Sequence, residues 1–195
     1  MFLDSHGSIN HMTTTKQQNS LQTNLQTSAR AGFLYVLAYA IYIIIFDSGN
    51  VLTREAVYYR WMMLALLLVT NTIFWAVTKK TSSPLRLTFA AIACVIAQLT
   101  LAGFSVYWER GMASMSTILF ALPIVNVALL GSRTYTLAVS ALACAVYTTA
   151  CTKYFYDYFN EGYRVQPYGQ LFFFSAVFMI IGYYIARLAH TAYKK

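Results

Sequence analysis

At 195 residues the chain has the length of one domain, but 58% of it is hydrophobic, 16% aromatic and only 10% charged, against about 25% charged in soluble domains. That composition excludes a water-soluble monomer and predicts an all-α, polytopic membrane helix bundle. The net charge of +8 would suit nucleic acid if it were clustered, but it is spread between apolar runs and fits membrane topology, so the lipid bilayer is the expected partner and nucleic acid is not.

Residues 1–28 are polar and rich in Thr, Gln, Asn and Ser. Too little apolar area is available there to offset the entropy of ordering, so a disordered N-terminal tail is expected. It lacks the apolar core and cleavage site of a signal peptide, and Met12 offers an alternative start. Residues 29–195 are expected to form a six-helix transmembrane domain.

Its apolar runs follow in order: about Ala31 to Phe46, with an extension into Val51 and Leu52; Trp61 to Val77; Leu87 to Trp108; Met112 to Leu130; Tyr135 to Phe155; and Gly169 to Leu188. Each is near the ~20 residues that cross ~30 Å of hydrocarbon as a helix. They are apolar throughout, without the alternation of a lipid-facing barrel strand. Glu109-Arg110-Gly111 and Gly131-Ser132-Arg133 are tight links, so the third, fourth and fifth runs should be antiparallel neighbours.

Charge sets the orientation. With both termini in the cytoplasm of a cell membrane, nine of the 14 Lys and Arg fall inside, namely Lys16, Arg30, Lys79, Lys80, Arg86, Arg133, Arg187, Lys194 and Lys195. The others, Arg54, Arg60, Arg110, Lys153 and Arg164, fall outside, as the positive-inside rule favours.

No Asp, Glu or His lies within a run, and no HExxH, GxSxG or phosphate-binding loop is present. His6 and His11 sit in the tail and His190 in the last cytoplasmic turn. An enzyme is therefore the least favoured class, and no cofactor or metal is expected. Cys94, Cys144 and Cys151 read as small buried residues. Asn71, Gln98 and Asn126 lie in apolar surroundings and should face the bundle interior, as interhelical hydrogen bonds or as the floor of a pocket. Pro123 should disturb the helix one turn before Asn126 and free a carbonyl near Leu119.

At the outer surface, Tyr58, Tyr59, Arg60 and Trp61 face the level of Tyr154, Tyr158 and Arg164, with Tyr107 and Trp108 between. These aromatics suit an interfacial belt or the walls of a ligand entrance that uses stacking and cation–π contacts. Ala93 with Ala97, and Ala141 with Ala145, are small-xxx-small pairs for close packing in the bundle or in a homodimer. Ile181, Ile185, Leu188 and Ala192 carry a helical repeat beyond the membrane.

From about Ala31 onward this layout resembles the six-helix membrane sensor regions that precede bacterial histidine kinases and nucleotide cyclases. The shared features are inside termini, tight hairpins, the Leu122-Pro123-Ile124-Val125 turn and a last span running into a basic helix. The resemblance implies a sensory module for signal transduction, relaying through its last helix to a cytoplasmic partner. The chain stops at Lys195 without a catalytic output domain, so that partner is a separate protein or the gene is truncated. Two other readings are a substrate-binding subunit of an energy-coupling-factor vitamin transporter, also a small six-helix protein, and a structural membrane subunit. Such transporter subunits typically show an alanine-spaced motif in the first helix, where this chain has only Ala31, Ala38 and Ala40, without AxxxA spacing.

Overall fold

The computed structural model describes residues 5–48, 54–80, 83–109, 111, 114–159 and 165–193, with the side chains of the first helix from Gln22 onward. The described residues are helical throughout their regular elements, without a strand: α1 (Ser5–Ser48), α2 (Arg54–Lys80), α3 (Pro84–Trp108), a 3-10 segment (Met115–Phe120), α4 (Ala121–Ala128), α5 (Arg133–Phe159) and α6 (Val165–Tyr193). Among them, five helices are long and apolar enough to cross a membrane, over Gln22–Ile45, Val57–Lys80, Pro84–Trp108, Arg133–Tyr158 and Tyr168–Ala189. Their outer faces carry large apolar side chains, among them Leu34, Ile73, Phe89, Phe172 and Leu188, which are each more than half exposed. Apolar exposure on this scale is what lipid, not water, accommodates. The chain is a multi-pass membrane protein.

Two expectations are corrected. The residues assigned to a disordered tail are helical from Ser5, and Leu25, Ser28 and Ala29 are buried. The reason is local pairing. Gln22 Nε2 donates to Thr78 O at 2.9 Å, and Leu25 and Ala29 pack against Phe74, Leu87 and Ala91. At its C-terminal end Gln22, Gln26 and Ser28 find partners on neighbouring helices, which offsets the shortage of apolar area there. The fourth run is not one long helix but a short apolar element, Met115–Ala128, that begins as a 3-10 segment and continues as α4. Ala121 N–H bonds Ile118 O, the 3-10 pattern, just before Pro123, where the proline has no N–H to give. In the two links Gly111 and Gly131 have φ of 62° and 73°, a backbone region open to glycine, while Arg110 of the first link lies outside the described residues.

α3 is the central helix. One side of it packs with α4, α5 and α6 around Phe120, Tyr147 and Phe178, whose rings lie 5.3 to 6.0 Å apart. The other side packs with α1 and α2. Cys94 and Cys151 are buried, Cys144 half-buried, and all three are free thiols. Ala93, Ala141 and Ala145 face outward.

Candidate functional site

The inward faces of α1, α2 and α3 are read by spacing. Leu25, Ser28, Gly32, Val36, Tyr39 and Ile43 recur every three or four residues on α1. On α2 the stripe is Arg60, Leu64, Leu67, Asn71, Phe74 and Thr78. On α3 it runs Leu87, Ala91, Cys94, Gln98, Ala102, Ser105 and on to Glu109. Each stripe carries two polar residues eleven positions apart: Ser28 and Tyr39, Asn71 and Arg60, Gln98 and Glu109. Eleven residues make about three turns, or about 16 Å. α2 runs opposite to α1 and α3, so the six residues gather in two layers.

The first layer is made of amides and a hydroxyl. Ser28 Oγ donates to Asn126 Oδ1 in a short contact, and Asn126 Nδ2 donates to Gln98 Oε1 at 2.8 Å. Asn71 Nδ2 donates to Ala29 O at 2.9 Å. A Cβ at Gly32 would meet the Asn71 side-chain amide, which would have to shift away from its bond to Ala29 O. Gln98 Nε2 has no partner among the described residues. The expected inward face of Asn71, Gln98 and Asn126 is therefore seen, and Pro123 lies buried one turn from Asn126. Asn126→Leu would leave Ser28 and Gln98 without their shared partner, and is expected to lower stability by about 1–2 kcal/mol. Unfolding in SDS mixed micelles measures this; an unchanged or raised midpoint would count against the layer.

The second layer is ionic. Arg60 Nε stands 3.1 Å from Glu109 Oε1, with the two side chains 11% and 3% exposed. The contact is ionic and not an aligned hydrogen bond, and Arg60 Nη1 is also unpartnered among the described residues. Tyr39 Oη donates to Glu109 Oε1 at 3.2 Å. Ser114 Oγ at 2.8 Å and Ser116 N–H at 3.1 Å donate to Glu109 Oε2. One carboxylate thus ties α1, α2, α3 and the start of the 3-10 segment together. Its negative charge faces the N–H groups at that start, where an anion is favoured. Arg60 also lies over the ring of Tyr42, 5.5 Å from its centroid.

At the same end the aromatic residues form one band. Tyr58 touches Tyr59, and Tyr59 stacks on Trp108 at 4.1 Å. Trp108 meets Tyr107, which meets Tyr154 and Tyr158. Tyr107 Oη donates to Asp157 Oδ2 at 2.7 Å, and Lys153 pairs with the same carboxylate at 2.9 Å. The structure thus links the walls expected from Tyr58 and Tyr154–Tyr158 through Tyr107 and Trp108. Trp61 is exposed on α2, Arg60 turns inward, and Arg164 lies outside the described residues. Leu99, Ala102, Val106 and Phe120 are buried in one cluster on the interior side of α3. They stand between the band and the amide layer.

A cleft of about 470 Å³ opens between α3 and α5 beside the aromatic band, with Gly103, Phe104, Tyr107, Val146 and Lys153 in its lining, and another of about 310 Å³ opens between α1 and the 3-10 segment, lined by Tyr35, Ala38, Tyr39, Tyr42, Met115 and Ile118. Tyr39 also borders a void of about 10 Å³ shared with Arg60 and Glu109, enough for one water. Sequence reasoning missed Glu109, Tyr39, Ser114 and Ser116. Glu109 was readable by extending the α3 stripe one step past Ser105. The serines carry no such signal, because their positions follow from the turn at Gly111. Among the described residues, no three His, Cys, Asp or Glu gather as metal ligands would. No protein-family model, curated protein or solved structure matches this chain, so its function rests on the geometry of the two layers and the cleft.

Proposed function

We propose that the chain is a membrane-embedded ligand-binding module that reports occupancy to a cytoplasmic partner, with six helical segments in the bilayer and both termini in the cytoplasm. The basic residues support the orientation. Arg30, Lys79, Lys80, Arg86, Arg133 and Arg187 flank one side, and the Arg60–Glu109 layer takes the other. Reporters fused after Lys195 and between Asp157 and Tyr168 should read cytoplasmic and external. An external Lys195 would reverse the arrangement.

The observation that carries ligand binding is the aromatic cleft backed, through Tyr39, by a buried ion pair. Ligand sites are typically concavities of ~300–1,000 Å³ with a few convergent polar groups. Relay is supported by the position of the 3-10 segment. Met115 and Ile118 line the cleft, Phe120 ends the segment, and its ring sits 5.3 Å from Phe178 on α6. Six residues exceed the usual ~3–4 of a 3-10 run, and such a stretch within a helix often marks a hinge between two forms. A ligand that holds one form better than the other shifts that balance and moves α6.

The test is a thermal-shift screen of small, partly apolar molecules on the purified protein. Hits should lose their effect in Ala38→Trp, which fills the cleft, and keep it in Tyr158→Ala on the aromatic band. Hits unaffected by Ala38→Trp would place the ligand elsewhere and remove this reading.

A further inference from the structure

We infer that the cleft takes a single-chain amphiphile with an anionic head group, entering sideways from the lipid. The inference rests on the cleft being the ligand site.

The head group follows from which polar atoms are spent. Both oxygens of Glu109 are engaged, one by Arg60 and Tyr39 and the other by Ser114 and Ser116. No acceptor is left there for a cationic head. Two hydrogen-bonding groups are unspent: Tyr35 Oη and Arg60 Nη1 are buried without a partner among the described residues. Tyr35 lines the cleft, and Arg60 stands against Tyr42, which also lines it. The small void beside Arg60 is not bordered by Tyr35, so a water there would leave the phenol unserved. A carboxylate or phosphate carries several acceptor oxygens, one to take the Tyr35 hydroxyl at the cleft wall and another to draw on Arg60 behind Tyr42. Such charge-assisted bonds are the strong ones, and each relieves a buried polar atom that is costly to leave unmade.

The tail follows from the rest of the lining. Ala38, Met115 and Ile118 offer only carbon and sulfur, and all three are exposed on the outer face of the bundle, where acyl chains lie. Met115 adapts to irregular apolar shapes. The polar groups sit near the ends of α2 and α3, at the depth where an amphiphile in the bilayer carries its head.

The experiment uses the full chain in phosphatidylcholine nanodiscs, titrated calorimetrically against empty discs with decanoate, decyl phosphate, decanol and decylammonium. At least one anion should bind about tenfold tighter than decanol, with decylammonium weakest, and Tyr35→Phe should remove about tenfold of that anion's affinity. The two anions separate a fatty-acid ligand from a phosphate-headed one. Ala38→Trp should abolish binding of every member. If decanol binds as tightly as both anions, or Tyr35→Phe leaves anion binding unchanged, the anionic head is wrong. The cleft reading survives that result as long as Ala38→Trp still blocks. If nothing binds, or if Ala38→Trp blocks nothing, both fail together.

Discussion

Glu109→Ala is expected to destabilise the protein by about 3–5 kcal/mol, more than Asn126→Leu or Gly182→Ala. The carboxylate is 3% exposed and accepts from three groups besides its contact with Arg60. Removing it leaves a guanidinium buried without its counter-charge and takes the anchor from the start of the 3-10 segment. A companion variant separates these effects. Arg60→Met combined with Glu109→Ala removes both charges, and should recover a large part of the loss, because an uncompensated buried charge costs more than the pair contributes. Unfolding followed by circular dichroism in SDS mixed micelles gives both numbers. A loss under about 1 kcal/mol for Glu109→Ala would mean that Arg60 reaches solvent and behaves as a surface pair.

Gly182→Ala should destabilise by about 1–3 kcal/mol through overpacking. A Cβ there would drive into the side chain of Ser140 on α5. Ser140 cannot step aside freely, because it is fully buried and its hydroxyl donates to Thr136 O at 2.9 Å. Moving the methyl group back across the interface is the control. Ser140→Gly combined with Gly182→Ala should restore most of the loss, since the total volume between α5 and α6 is nearly conserved. If the double variant is as unstable as Gly182→Ala alone, the contact between the two helices is not the cause.

The long spans were legible because lipid demands long apolar helices, and nothing else in the chain competes with that pattern. The inward amides were legible because Asn71, Gln98 and Asn126 have few favourable places outside the bundle. Arg60 and Glu109 were harder. Each lies where an apolar run meets a loop, and there a charge reads first as a topology signal. Whether it turns inward depends on the helical phase of the whole stripe, which only the residues behind it reveal. Ser28 was hidden for a different reason. Its surroundings are polar in sequence, and composition cannot show that Gln22 meets Thr78 O or that Ser28 meets Asn126. The short fourth element turns on Pro123 and a six-residue 3-10 run, a local compromise that hydropathy does not resolve.

The equal spacing of the two polar layers also governs assembly. Helices in hydrocarbon gain little from one depth over another, since lipid and a neighbouring helix are alike apolar. Sliding α2 by one turn against α1 and α3, about 5.4 Å, would strand Arg60 and Asn71 together, one at the end of the span and the other near its middle. Rotating it would do the same. The layers therefore act as a pair of keys cut at one pitch, which admit a single vertical and angular register. A one-residue insertion between Arg60 and Asn71 would turn one key about 100° away from its lock while the other still fits. Mispaired forms are then excluded by two simultaneous mismatches, even where apolar packing alone would tolerate the slip.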